Sequence, residues 1–198
     1  MANTQAQFGF QHFGYLPGAA PDYAQSTPFQ IQSSYSTKIW FGDPVVRLTA
    51  SKYLATAVNT GTAIVGVFVG CVFTPSSGLA IPQWSPWWPG AAAADATAYV
   101  IDAPNALFRV AALLTAIPAT AIGNNIGWST GAGGTAVGQG FSTYTVDQAS
   151  LATTSTLPFQ IYSLYPGIGN GSDTTTSYNW VIVGFNAQRF RAGATAWA

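Results

Sequence analysis

Glycine and proline interrupt this sequence so often that it can fold only from short pieces: 21 glycines and 12 prolines are spread over 198 residues. Proline removes a backbone donor and locks φ, and glycine weakens a helix interior, so long helices are excluded. The stretches between them are rich in Val, Ile, Phe, Tyr and Trp, which suit a pleated, half-buried surface. Residues 35–41, 45–48, 62–73, 96–101, 106–110, 141–146, 159–165 and 180–185 read as strands. The segment TAIVGVFVGCVF (62–73) is almost wholly apolar, and its length and glycines favour a buried strand with a bulge.

Between these strands the punctuation is dense. IPQWSPWWPG (81–90) holds three prolines, which exclude helix and central strand. Residues 111–122 are the one plausible helix, cut to a turn or two by Pro118. Residues 123–140 carry glycine at 123, 127, 131, 133, 134, 138 and 140 and read as loop. Residues 147–156 are polar, and 166–176 form a Gly/Asn/Ser/Thr loop. PFQIQSSYS (28–36) is echoed by PFQIYSLYP (158–166), either by chance or as two edge strands in equivalent settings. The expected fold is all-β: a small antiparallel β-barrel or jelly-roll-like sandwich over residues 38–198.

Residues 1–37 differ in character. They are polar, aromatic and turn-rich, and read as an extended N-terminal arm. Phe8, Phe10, Phe13, Tyr15 and Tyr23 could anchor it in grooves of a partner; alternatively the arm folds back onto its own domain. The first fifteen residues lack a positive n-region and a continuous apolar h-region, and no apolar run reaches the ~18 residues of a spanning helix. The expectation is synthesis in a cytoplasm, no membrane partner, and solubility until assembly.

Charge narrows the function. Only 6% of residues are charged, against about 25% in ordinary soluble domains, and the net charge is zero. A free monomer relies on a charged surface to stay apart from its neighbours, so this one is suited to being covered by partners. There is no basic patch for a phosphate backbone, which argues against nucleic acid.

Candidate chemistry is sparse. His12 is the single histidine and lies in the arm between Phe10 and Phe13, a poor place for a rigidly held catalytic base. The six acids are scattered aspartates; Asp43, Asp102 and Asp173 sit in turn sequences, where such side chains bond local backbone. No metal-ligand spacing, calcium loop or complete phosphate loop is present in the sequence, so no catalytic residue, metal or cofactor is assigned. Cys71, the lone cysteine, lies in an apolar run and reads as a buried, inert thiol. Trp84, Trp87 and Trp88 crowd a proline-stiffened loop, and three readings stand: a binding loop, a sugar-stacking platform, or a satellite core.

Taken in order, several segments resemble the capsid cement or decoration proteins of tailed-bacteriophage heads. They are FGFQHFGYLPG (8–18), SSYSTKIWFGDPV (33–45), IVGVFVGCVFT (64–74), PWWPG (86–90), ADATAYVIDAPNALFRV (94–110) and WVIVGFNAQRF (180–190). The resemblance implies a non-enzymatic structural protein on the outer surface of the virion, bound to the major capsid protein and to copies of itself as a dimer or trimer. Phe8, Phe10, Phe13, Tyr15, Trp84, Trp87 and Trp88 would be its interface residues. The other function considered is a receptor- or carbohydrate-binding β-sandwich that uses the tryptophans.

Overall fold

The computed structural model describes residues 2–4, 7–17, 27–57, 64–78, 80–129 and 140–187. The described strands are β1 (Gln11–Tyr15), β2 (Thr27–Ile31), β3 (Pro44–Arg47), β4 (Leu54–Thr56), β5 (Gly66–Phe73), β6 (Gln83–Ser85), β7 (Ala96–Ile101), β8 (Ala106–Ala111), β9 (Asn125–Ser129), β10 (Thr145–Ala152), β11 (Phe159–Leu164) and β12 (Trp180–Phe185). They form two six-stranded antiparallel sheets. Sheet 1 runs β1-β8-β12-β11-β9-β10; sheet 2 runs β2-β7-β5-β3-β4, with β6 also on β5. The all-β expectation holds, as a sandwich-like pair of sheets. Sheet 1 also curls, because its β10 edge returns to the chain leaving β8, where Leu113 N–H donates to Val146 C=O.

Two cores hold the layers. The larger joins the sheets: Phe108 and Val110 of β8, Phe159 and Ile161 of β11, and Val181, Val183 and Phe185 of β12 meet Val67 and Ile101 of sheet 2. The smaller covers the opposite face of sheet 2, where Phe68, Cys71 and Phe73 of β5 and Ala96, Ala98 and Val100 of β7 meet Trp88, Ile39 and Ile31. β5 is thus covered on both faces over most of its length, the physical reason it reads as an unbroken apolar run rather than an alternating one. Its register slips between Phe68 and Gly70, giving the expected bulge.

The 1–37 segment is not a separate extended arm. β1 pairs with β8 and β2 with β7, so the chain before residue 38 supplies an edge strand to each sheet. Residues 35–41 form no strand; Ile39 makes a single bridge to Trp88, and this stretch straps the second core instead. Residues 125–129 are strand, not loop, because Ile126 and Trp128 are buried in the first core and outweigh the cost of Gly127. β10 begins and ends later than expected and takes in the polar Asp147–Leu151 run as an edge strand. The anticipated helix reduces to one 3-10 turn at Ala119–Ala121, just after Pro118. The PFQI echo marks unlike settings: β2 is an edge strand and β11 lies between β12 and β9. Tyr23, residues 131–138, Arg189 and Arg191 lie outside the described residues.

Candidate interaction surface

The aromatic residues picked from the sequence divide sharply. Phe10 is 1% exposed and stacks on Phe159 at 4.4 Å, in line with Phe185; it is core, not an interface anchor. Trp88 is fully buried, and its Nε1 donates to Tyr35 C=O at 2.8 Å. Both are corrections with one cause: large apolar surface is sequestered by the nearest available sheet face. Tyr15 is partly buried and packs against the first core. Phe13 is 49% exposed because the β1–β8 register skips it, between His12 and Gly14.

Phe8 belongs to a different arrangement on the outer face of sheet 1. The Arg109 guanidinium lies 4.8 Å from the Trp180 ring, 5.2 Å from Phe8 and 5.4 Å from Tyr165, and donates to Gln11 Oε1 at 2.6 Å. Such cation–π contacts stabilise by roughly 0.5–2 kcal/mol. They fasten the N-terminal segment, whose earlier residues are clasped by the 169–176 loop. Asn3 Oδ1 accepts from Gly171 and Asp173 N–H, while Thr4 and Asn170 exchange hydrogen bonds. Of the two readings of residues 1–37, the described part folds back.

Trp84 and Trp87 are on the surface, 56% and 37% exposed. Trp84 is held over Gly70, where a Cβ would sit 2.5 Å from its ring, and leans on Tyr99 at 5.6 Å. Trp87 lies over Gly140 and faces Trp40 at 6.1 Å, with Lys38 Nζ 5.6 Å above the Trp40 ring. Phe41 and the exposed Phe141 meet edge to face at 5.6 Å. Sequence reasoning missed Trp40, Phe41, Tyr99 and Phe141. The available signal was a Trp-Phe pair on irregular chain ahead of Gly-Asp-Pro, where no strand alternation could absorb it.

The ionisable groups are arranged for structure. Burial lowers the His12 pKa below the usual 6.5, partly offset by the Gly14 backbone, and its ring packs on Tyr15 and Phe108. Burial pushes the Cys71 thiol up to about 12. Asp43 is 1% exposed, and desolvation raises it to about 7, against the opposing effects of the Trp40 backbone hydrogen bond and the neighbouring Ser142 side chain. Among the described residues no three of His, Cys, Asp or Glu form a metal-binding group. What the surface offers is rigid aromatic area with little charge, suited to non-covalent docking.

Comparison with family models, with curated proteins and with solved structures returns no match for this chain.

Proposed function

We propose that this chain is a structural virion protein that binds the outside of an icosahedral phage head and cements its capsid subunits. In this reading it acts as a homo-oligomer with no catalytic step. The observation that carries the proposal is exposed aromatic area on a chain only 6% charged: Trp84 beside the half-buried Tyr99, and Trp87 and Phe141 beside the half-buried Trp40 and Phe41. Rigid aromatic side chains lose little entropy on docking and dominate interface hot spots. The segment-by-segment resemblance to cement proteins supports the same reading. Many copies of one modest contact, repeated by icosahedral symmetry, would brace a shell against internal pressure.

The test mixes the purified full chain with heads assembled from a tailed-phage major capsid protein. Binding is read by co-sedimentation, and bracing by the temperature at which packaged DNA escapes. Wild-type protein should pellet with heads and raise that temperature, while a Trp84→Ala, Trp87→Ala double variant of unchanged Tm should stay in the supernatant. A chain that remains monomeric and never pellets overturns the proposal.

One observation favours a second reading. Trp84 presents more than half its surface beside Tyr99, an open geometry on which a sugar ring could stack. Glycan-array binding lost in Trp84→Ala and Trp87→Ala would move the assignment to a carbohydrate-binding module. Trp88, buried in the second core, takes no part in either reading.

A further inference from the structure

The turn that carries Trp40 and Phe41 also buries a carboxyl with one of its two oxygens unpartnered. Asp43 is 1% exposed; Oδ2 accepts Trp40 N–H at 2.8 Å, and Oδ1 has no hydrogen-bond partner. A buried carboxylate without full compensation is costly, so the group favours its neutral form.

Three chain segments converge on this turn. Gly42 C=O accepts Phe10 N–H at 3.0 Å from the N-terminal segment, and Phe41 exchanges backbone bonds with Gly140 and Ser142 at 3.1 and 2.8 Å. Gly42 and Asp43 bond to Phe68 of β5, both at 2.9 Å. The packing is close enough that a Cβ on Gly9 would lie 2.3 Å from Ser142 Cβ; Gly9 and Gly42 both have positive φ, at 69° and 89°. Neither position accommodates a larger residue without moving its neighbour.

Around the carboxyl lie hydroxyl and phenol groups, backbone and apolar side chains. From the 140–144 segment come the Ser142 hydroxyl and Tyr144, the latter pushed up to about 12 by burial first and then by Asp43 and Tyr35. Tyr35 belongs to the strap leading to the turn, and its hydroxyl is engaged with Thr56. The N-terminal segment brings Gly9 and Phe10, β5 brings Phe68, and Ala57 bonds to the adjoining Pro44. Lys38 is exposed over Trp40, and His12 packs on Tyr15 and Phe108.

We propose that Asp43 is a proton-operated latch that holds the N-terminal segment and residues 140–144 against the 40–43 turn, and so controls assembly of the Trp40–Trp87 and Phe41–Phe141 pairs that these segments carry. Protonated, the carboxyl is compatible with the closed junction. On opening, it gains water and ionises at the ordinary 3.8 instead of about 7. Opening therefore becomes easier as pH rises from about 4 to about 7, and levels off above, where the closed form also ionises. The latch regulates the docking face described under the proposed function and rests on that reading for its biological use.

The test is amide hydrogen exchange on the isolated full chain from pH 4 to 9, corrected for intrinsic exchange chemistry. Opening at Phe10, Phe41 and Ser142 should rise about tenfold per pH unit up to about pH 7 and then plateau, whereas Asp43→Asn should give a flat profile. Opening independent of pH in the wild type, or the same rise in Asp43→Asn, overturns the latch. Should that variant not fold, carboxyl-carbon NMR of the wild type decides: a midpoint near 7 supports the latch and one near 4 overturns it. No shell or glycan enters these measurements, so failure to bind heads removes the docking function alone, while failure of the exchange profile removes the latch alone.

Discussion

Asn179 and Ile117 hydrogen-bond in both directions in the interior: Ile117 N–H donates to Asn179 Oδ1 and Asn179 Nδ2 donates to Ile117 C=O, each at 2.9 Å. The side-chain amide acts as a surrogate strand for the chain between β8 and the 3-10 turn. It satisfies two backbone groups that Pro118 and the irregular path leave without a sheet partner. Asn179→Ala leaves both groups buried and unpaired, and should lower the unfolding free energy by roughly 2–4 kcal/mol. Urea denaturation reads this as a shifted midpoint at unchanged slope.

The tryptophan loop separates stability from binding. Trp88→Ala empties a fully buried site and strands Tyr35 C=O, and should cost about 3–5 kcal/mol. Trp84→Ala, at an exposed position, should cost under about 1 kcal/mol by the same denaturation assay. Comparable losses at both sites would show that Trp84 is structural.

Asp43 should tilt the stability of the whole domain with pH. Its folded value of about 7 lies above the unfolded 3.8, so the stabilisation is complete below 3.8 and lost as pH rises through about 7. That difference corresponds to roughly 4 kcal/mol as an upper figure. Asp43→Asn should flatten this part of the Tm–pH curve between 4 and 8, and a variant curve parallel to the wild type would contradict the assignment.

Cys71 should be chemically silent in the native state. With its thiol pushed up to about 12 and its side chain buried, almost no thiolate exists at pH 8. A thiol reagent should react within minutes in denaturant and only at the unfolding-limited rate without it.

Arg109→Lys should loosen the N-terminal segment, because a compact ammonium cannot present a planar face to Phe8, Tyr165 and Trp180 together. Faster exchange or protease nicking within residues 2–17, at nearly unchanged global stability, is the expected result.

Several of these residues mark where sequence reasoning stopped. β12 coincides with the apolar run 180–185, and β7 and β8 fall where Val, Tyr and Phe alternate between turns. β1 and β9 were missed because their polar and glycine-rich sequences are weak strand formers alone, and pairing supplied what propensity lacked. Of the aromatic residues singled out, Trp84 and Trp87 do lie on the surface, whereas Phe10 and Trp88 belong to the core, because type does not reveal which aromatic ring the core will claim.

Local pattern was enough to set the all-β fold class. Frequent glycine and proline rule out long helices, and short β-branched and aromatic runs supply strands. These are local or compositional properties, written in neighbouring residues. It took long-range packing to make the N-terminal segment an edge strand of each sheet, to bury Asp43, and to place Trp88 but not Trp84 or Trp87 in the core. Those outcomes depend on contacts such as Gln11 with Arg109, 98 residues apart, whose energies appear only once the chain has closed on itself.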